Sequence, residues 1–173
     1  MTGSTSADVG ILVLRVVAGI TMAAHGYQKF FSGERISGTG RWFDSMGMRP
    51  GRLHALAAAT TELLAGIFLA VGLLTAVAGA AFVALMLVAG YTVHRANGFF
   101  SVRSGWEYNL VLATIGVAVA VTGPGRYSLD HVLGLTGPLS GSTGLLIAGA
   151  GGGLAGVGQL VIFFRPSTVV NNA

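Results

Sequence analysis

Arg15 and Glu62 each stand inside a long run of apolar residues. An ionisable side chain in hydrocarbon costs several kcal/mol unless it is paired or wetted, so both need partners. Arg15 is twelve residues before Tyr27, roughly 18 Å at a helical rise. Glu62 is nine residues after Leu53, roughly 14 Å by the same measure. If the two segments are antiparallel neighbours, the charges fall near one level, and an Arg15–Glu62 ion pair is expected. Such a pair would either fix helix register or serve a proton or a ligand.

A second group gathers at one boundary. Arg15, Met22 and Lys29 are seven apart, and His25 is four before Lys29. Residues three, four or seven apart share a helix face, so His25 and Lys29 project together from the end of the first apolar run. His54 opens the second run, His94 closes the third and Glu107 opens the fourth. Polar groups converging on the mouth of a helix bundle suit a lipid headgroup, a quinone ring or an anion. The plainer reading makes each one an interfacial residue whose tip reaches water. The candidate ligand-binding set is therefore Arg15, His25, Lys29, Glu62, His94 and Glu107, with Glu62 and Glu107 as candidates for proton exchange.

Other chemistries find less support. The chain has no cysteine, which excludes thiolate nucleophiles, disulfides and thiolate-bound clusters. No metal motif is present, and His25 with His94 as a haem pair has no further signature behind it. No Ser-His-Asp arrangement is visible. "GTG" at Gly38–Gly40 lacks the strand and helix that frame a phosphate loop.

The elements that must position these residues follow from composition. The chain of 173 residues is 53% hydrophobic and only 9% charged. A soluble domain carries roughly a quarter charged residues, so an all-α, polytopic integral membrane protein is expected. The run from Leu53 to Val93 holds a single charged residue, Glu62, and a crossing takes roughly 20 apolar residues. Five spans fit: about Val9–Tyr27, Leu53–Leu74, Ala76–Val93, Trp106–Val121 and Gly144–Phe164. Runs without apolar–polar alternation are helices rather than barrel strands. The whole chain reads as one membrane domain, with four helices over about 9–134 and a glycine-rich fifth over about 143–164. The first run reads as a retained span, because no basic stretch or convincing cleavage site accompanies it.

Alternation puts the segments Gln28–Arg52 and His94–Gly105 and the C-terminus on one side. They carry Lys29, Arg35, Arg41, Arg49, Arg52, Arg95, Arg103 and Arg165, against Arg126 on the other. Basic loops favour the cytoplasm, so a multi-pass membrane protein with its N-terminus outside and its C-terminus cytoplasmic is expected. The dispersed arginines form no basic stripe, which argues against a nucleic-acid partner.

Between the spans, "GRWFDSMGMRPGR" places Trp42, Phe43 and Met46 on one face of a short helix suited to lying on the bilayer. In "GPGRYSLD", Ser128 is a candidate N-cap for a segment ending near Gly134, and Arg126 and Asp130 are spaced to pair. Gly144, Ala148, Gly152 and Gly156 make a small-residue ridge in the last span. Such ridges let backbones approach closely, either within the chain or against another subunit.

"LRVVAGITMAAHGYQKFFSG", "TELLAGIFLAVGLLT", "GFFSVRSGWEYNL" and "GPGRYSLD" follow one another here as in the DoxX family of bacterial membrane proteins. The resemblance covers roughly Leu12–Leu133. Matching positions include Arg15, His25, Gly26, Lys29, Glu62, Glu107 and Ser128, and a structural set of Gly98, Phe99, Phe100, Gly105, Tyr108, Gly123, Pro124, Gly125, Arg126 and Asp130. The resemblance implies a four-helix core and kinship to the small membrane subunit of a thiosulfate:quinone oxidoreductase. It further implies a link to sulfur metabolism and oxidative stress, a non-covalently held quinone, and soluble partners of superoxide dismutase or sulfurtransferase type. The fifth, glycine-rich span departs from the family core.

The function expected from these readings is that of a membrane subunit of a redox system, binding a quinone or similar lipid-soluble ligand and docking soluble oxidoreductases. A non-catalytic scaffold that recruits soluble partners, and a small lipid or solute transporter, are the competing classes.

Overall fold

A computed structural model describes residues 5–166. Its order is α1 (Thr5–Phe31), α2 (Arg35–Met46), α3 (Gly51–Val71), α4 (Thr75–Ala89), α5 (Glu107–Thr122), α6 (Leu129–Val132), α7 (Gly141–Leu145) and α8 (Gly152–Phe163). A π-helical segment, Gly90–His94, and a 3₁₀ turn carry α4 on to Asn97. A second π-helical segment, Leu146–Gly151, joins α7 to α8 in one continuous helix. α1, α3, the extended α4 and α7–α8 are long and apolar enough to cross a membrane. α5, at 16 residues, is a shorter apolar helix. The chain is an all-α polytopic membrane protein, with the glycine-rich helix added to a bundle of α1, α3, α4 and α5.

The outside departs from that of a soluble fold, while the core, with Met22, Leu69, Phe82 and Val119, is apolar as in one. Val13, Val17 and Ile20 on α1 and Leu154, Val161 and Ile162 on α8 face outward, a surface that needs lipid to cover it. Arg15, Glu62, Asn109 and Asp130 are buried.

Small residues fix the register of α1 against α3. A Cβ at Gly19 would come within 2.5 Å of the Gly66 carbonyl oxygen, and one at Gly26 within 2.6 Å of the Ala59 oxygen. These contacts set Glu62 level with about Ala23, so Arg15 lies roughly 12 Å further along the bundle. The expected Arg15–Glu62 pair therefore does not form. Arg15 instead donates from Nη1 to the carbonyls of Leu69 and Ala70, both at 3.2 Å, and from Nη2 to the Tyr127 carbonyl at 2.6 Å. The first two carbonyls lie at the C-terminal end of α3, where the helix dipole favours a cation, and the Leu69 oxygen also accepts from the Gly72 N–H at 3.2 Å.

The "GPGRYSLD" segment covers this end. Ser128 caps α6 as expected, accepting from the His131 N–H at 3.2 Å. The expected Arg126–Asp130 pair is replaced by two other contacts. Arg126 Nε lies 3.5 Å from Asp8 Oδ2, and its backbone N–H donates to Asp8 Oδ1 at 3.1 Å. Asp130 accepts from the N–H groups of Leu74 and Thr75 at 2.7 and 2.8 Å. It caps the N-terminus of α4 from another part of the chain, where a carboxylate suits the dipole.

The small-residue ridge is used within the chain. Gly144 packs on the Ala120 carbonyl, Gly152 on Ala80 and Gly156 on Ala84. Ala148 is fully buried with Ala76 and Ala120. The face offered by Gly144, Ala148, Gly152 and Gly156 thus packs on α4 and α5.

Candidate functional site

A cavity of about 630 Å³ lies among α1, α2, α3, α4, α5 and α8, at the end of the bundle that carries the basic loops. Its volume falls within the roughly 300–1,000 Å³ usual for small-molecule sites. Much of its wall is made of small side chains: Ala57, Ala58 and Thr61 on α3, Ala80 and Ala84 on α4, and Gly152 and Ala155 on α8. Where three facing helices carry alanine or glycine, side chains fail to fill the space between backbones, and a crevice is left. Trp42 and Phe43 of α2, with Met48, line it as well. α2 is thus part of the site's wall, beyond any part it has in anchoring. Asp44 helps hold it there by accepting from the Gly51 N–H at the start of α3, at 2.7 Å.

Polar groups are few. Lys29 Nζ donates to both carboxylate oxygens of Glu62, at 2.8 and 2.6 Å. The side chains are only 20% and 11% exposed, so water screens their attraction weakly. Lys29 is thus the partner that Glu62 required, reached because its long stem extends back along α1 from the boundary. His25 lines the same cavity, its ring 6.2 Å from that of Tyr108. His94 ends the π-helical segment and also lines it. Its Nδ1 is 2.6 Å from the Ser104 carbonyl oxygen. A carbonyl only accepts, so Nδ1 carries the proton, and in the neutral ring Nε2 is left as an acceptor. Asn109, in the first turn of α5, donates from Nδ2 to Met86 Sδ at 3.6 Å.

Of the six expected ligand-binding residues, His25, Lys29, Glu62 and His94 are brought onto one cavity. Arg15 belongs to the far end of the bundle. Glu107 is drawn aside: its Oε2 accepts from both the N–H and the Oγ of Ser101, each at 2.9 Å. The surrounding loop closes on itself. The N–H groups of Trp106 and Glu107 donate to the carbonyls of Gly98 and Phe99, and Phe99 meets Trp106 edge to face at 4.9 Å. Gly98, with φ +79, permits the reversal. Glu107 therefore organises this loop and does not line the cavity. His54 lies behind the wall. Gln159 Nε2 donates to its Nδ1 at 3.2 Å, tying α8 to α3.

Asn109, Trp42, Phe43 and the small-residue wall escape a reading based on charge. The alanines repeating along α3 and α4 are the one signal that points to them. Among the described residues, no three His, Asp or Glu side chains converge as a metal site.

The DoxX family model matches residues 10–95, from α1 to the end of the π-helical segment. A Bacillus subtilis (strain 168) protein bearing the name "Putative oxidoreductase CatD" is 32% identical over 125 residues, which span 72% of this chain and 87% of the relative. The chain belongs to the DoxX family. No solved structure matches it. The region matched to the DoxX model holds Arg15, His25, Lys29, Glu62 and His94, whereas Tyr108, Asn109 and the α8 wall lie beyond it.

Proposed function

We propose that this DoxX-family chain is the membrane subunit of a redox system, holding the ring of a quinone or a similar lipid-soluble ligand in the cavity. The observation that carries the reading is an apolar crevice of about 630 Å³ with a Lys29–Glu62 ion pair in its wall. Apolar walls suit a ring and its tail, while a small number of polar groups fix orientation. The oxidoreductase name of the Bacillus subtilis relative supports the same class.

A quinone ring takes up two electrons and two protons. With no cysteine in the chain, the electrons come from a substrate or from a soluble oxidoreductase docked on the basic loops. Facing the cytoplasm, as basic loops favour, that end of a bacterial inner-membrane protein is open to such partners. Glu62 exchanges protons with the ring, Lys29 holds the carboxylate in place, and His25 and His94 orient the ring oxygens.

The test is purification in mild detergent, mass spectrometry of co-purifying quinones and lipids, and quinone titration of wild type and Glu62→Gln. Retained or added quinone that binds wild type and is handled differently by Glu62→Gln supports the reading. Protein that holds no quinone and binds none sinks it.

A further inference from the structure

Asn109 is 6% exposed, and its Oδ1 is buried without a hydrogen bond among the described residues. Its amide nitrogen has only a thioether to donate to, which is a weak acceptor. In an apolar bundle no bulk water compensates for an unpaired carbonyl oxygen. Yet the side chain lines the cavity, and Gly90 opposite presents no side chain to cover it. A Cβ at Gly90 would lie 3.6 Å from the Asn109 Cβ. Gly90 also begins the π-helical segment that delivers His94 to the same cavity, and π-helical turns recur at functional sites.

Among the described residues, Asn109 Oδ1 is the buried acceptor of the lining that lacks a hydrogen bond. The Glu62 carboxylate already takes two protons of Lys29, and His94 Nδ1 is committed to the Ser104 carbonyl. Trp42, Thr61 and Tyr108 also line the cavity and carry donors of their own, but none reaches Oδ1, which is left for a ligand that brings a donor. A ring carbonyl brings none, whereas a ring hydroxyl brings one.

We infer that Asn109 is a specificity-determining residue whose Oδ1 accepts a hydrogen bond from a ring hydroxyl, so that the cavity favours the reduced, hydroxyl-bearing form of a quinone-type ligand. The inference rests on the proposed ring-binding function and adds the redox form of the ring and the residue that reads it. It involves binding alone and no electron transfer.

Trp42 in the cavity wall supplies the readout through quenching of its fluorescence. The full chain in detergent is titrated with three probes: decylubiquinol, decylubiquinone and the di-O-methyl ether of the quinol, which keeps the ring and loses both donors. Wild type binds the quinol about tenfold more tightly than the ether, the worth of one good hydrogen bond. Asn109→Leu brings that ratio close to one while ether binding changes little. Asn109→Asp, which keeps an acceptor, retains the preference. If Asn109→Leu fails to fold, Asn109→Ala carries the same expectation. Wild type without a preference, or an unchanged preference in Asn109→Leu or Asn109→Ala, overturns the inference and leaves ring binding standing. Absence of binding by all three probes removes the ring-binding reading and the inference with it.

Discussion

Two ends of one bundle each bury ions, and they treat them differently. At the end formed by the α3–α4 turn, charge is spent on backbone. Arg15 serves carbonyls of Leu69, Ala70 and Tyr127, and Asp130 serves the N–H groups of Leu74 and Thr75. At the basic-loop end, Lys29 and Glu62 serve each other on the wall of a cavity, beside histidines and an amide with spare bonding capacity. The first end closes helix termini with opposite charges and fastens the α3–α4 hairpin. The second leaves polar groups beside open space. Burial of an ionisable group alone does not mark a working site; where its hydrogen bonds go separates the two cases.

The comparison breaks most visibly at Arg15. Arg15→Leu takes a donor from three carbonyls, of which Leu69 keeps the Gly72 N–H, and leaves Asp130 without a nearby cation; losing one member of a buried charged network costs about 3–5 kcal/mol. Thermal unfolding in detergent, or folded yield from the membrane, shows this as a large loss of stability. Were Arg15→Leu stable but unable to bind a ring ligand, the division of roles between the two ends would be wrong. Asp130→Ala belongs with Arg15→Leu, because it removes the other member of the same buried charged network, at about 3–5 kcal/mol. It should lower the unfolding temperature and leave ligand titrations unchanged.

Glu62→Gln is next and acts in the opposite sense. The amide keeps the shape and one acceptor, so the stability cost is about 1–2 kcal/mol. Quinone-linked activity with the native partner falls by an order of magnitude or more, because the proton-exchanging group is gone. Loss of folding with no separate effect on activity would make the Lys29–Glu62 pair as structural as Arg15. The smallest effect belongs to Glu107→Gln, which loosens the Ser101 loop and leaves ring binding as in wild type. A clear change in binding there would return Glu107 to the site.

Much of this was readable from residue order. Apolar runs give the four long helices and the shorter α5, Ser128 signals its cap, and the convergence of His25, Lys29 and His94 follows from where runs end. Pairing is what the residue order hides. Arg15 and Glu62 look level when distances are counted from Tyr27 and Leu53, but α1 runs on to Phe31, and Gly19, Gly26 and Gly66 choose the sliding position. Likewise Arg126 and Asp130 look like partners along the chain, yet each finds a better one across it. Both errors share a cause: local spacing sets which residues share a face, whereas close backbone contact sets what that face meets. Asn109 is missed because a lone amide in an apolar helix carries no signal until its neighbours are known.

The junction after α2 has a mechanical consequence. Arg165 N–H donates to the Gly47 carbonyl at 2.7 Å, and Arg49 N–H to the Phe163 carbonyl at 3.3 Å. The two bonds rivet the exit of α2 to the foot of α8. Since α2 brings Trp42 and Phe43 to the cavity and α8 brings Gly152 and Ala155, the cover and the rear partition are one linked part. The additional span therefore does more than enclose the crevice: through these two bonds α2 and α8 hold each other in place.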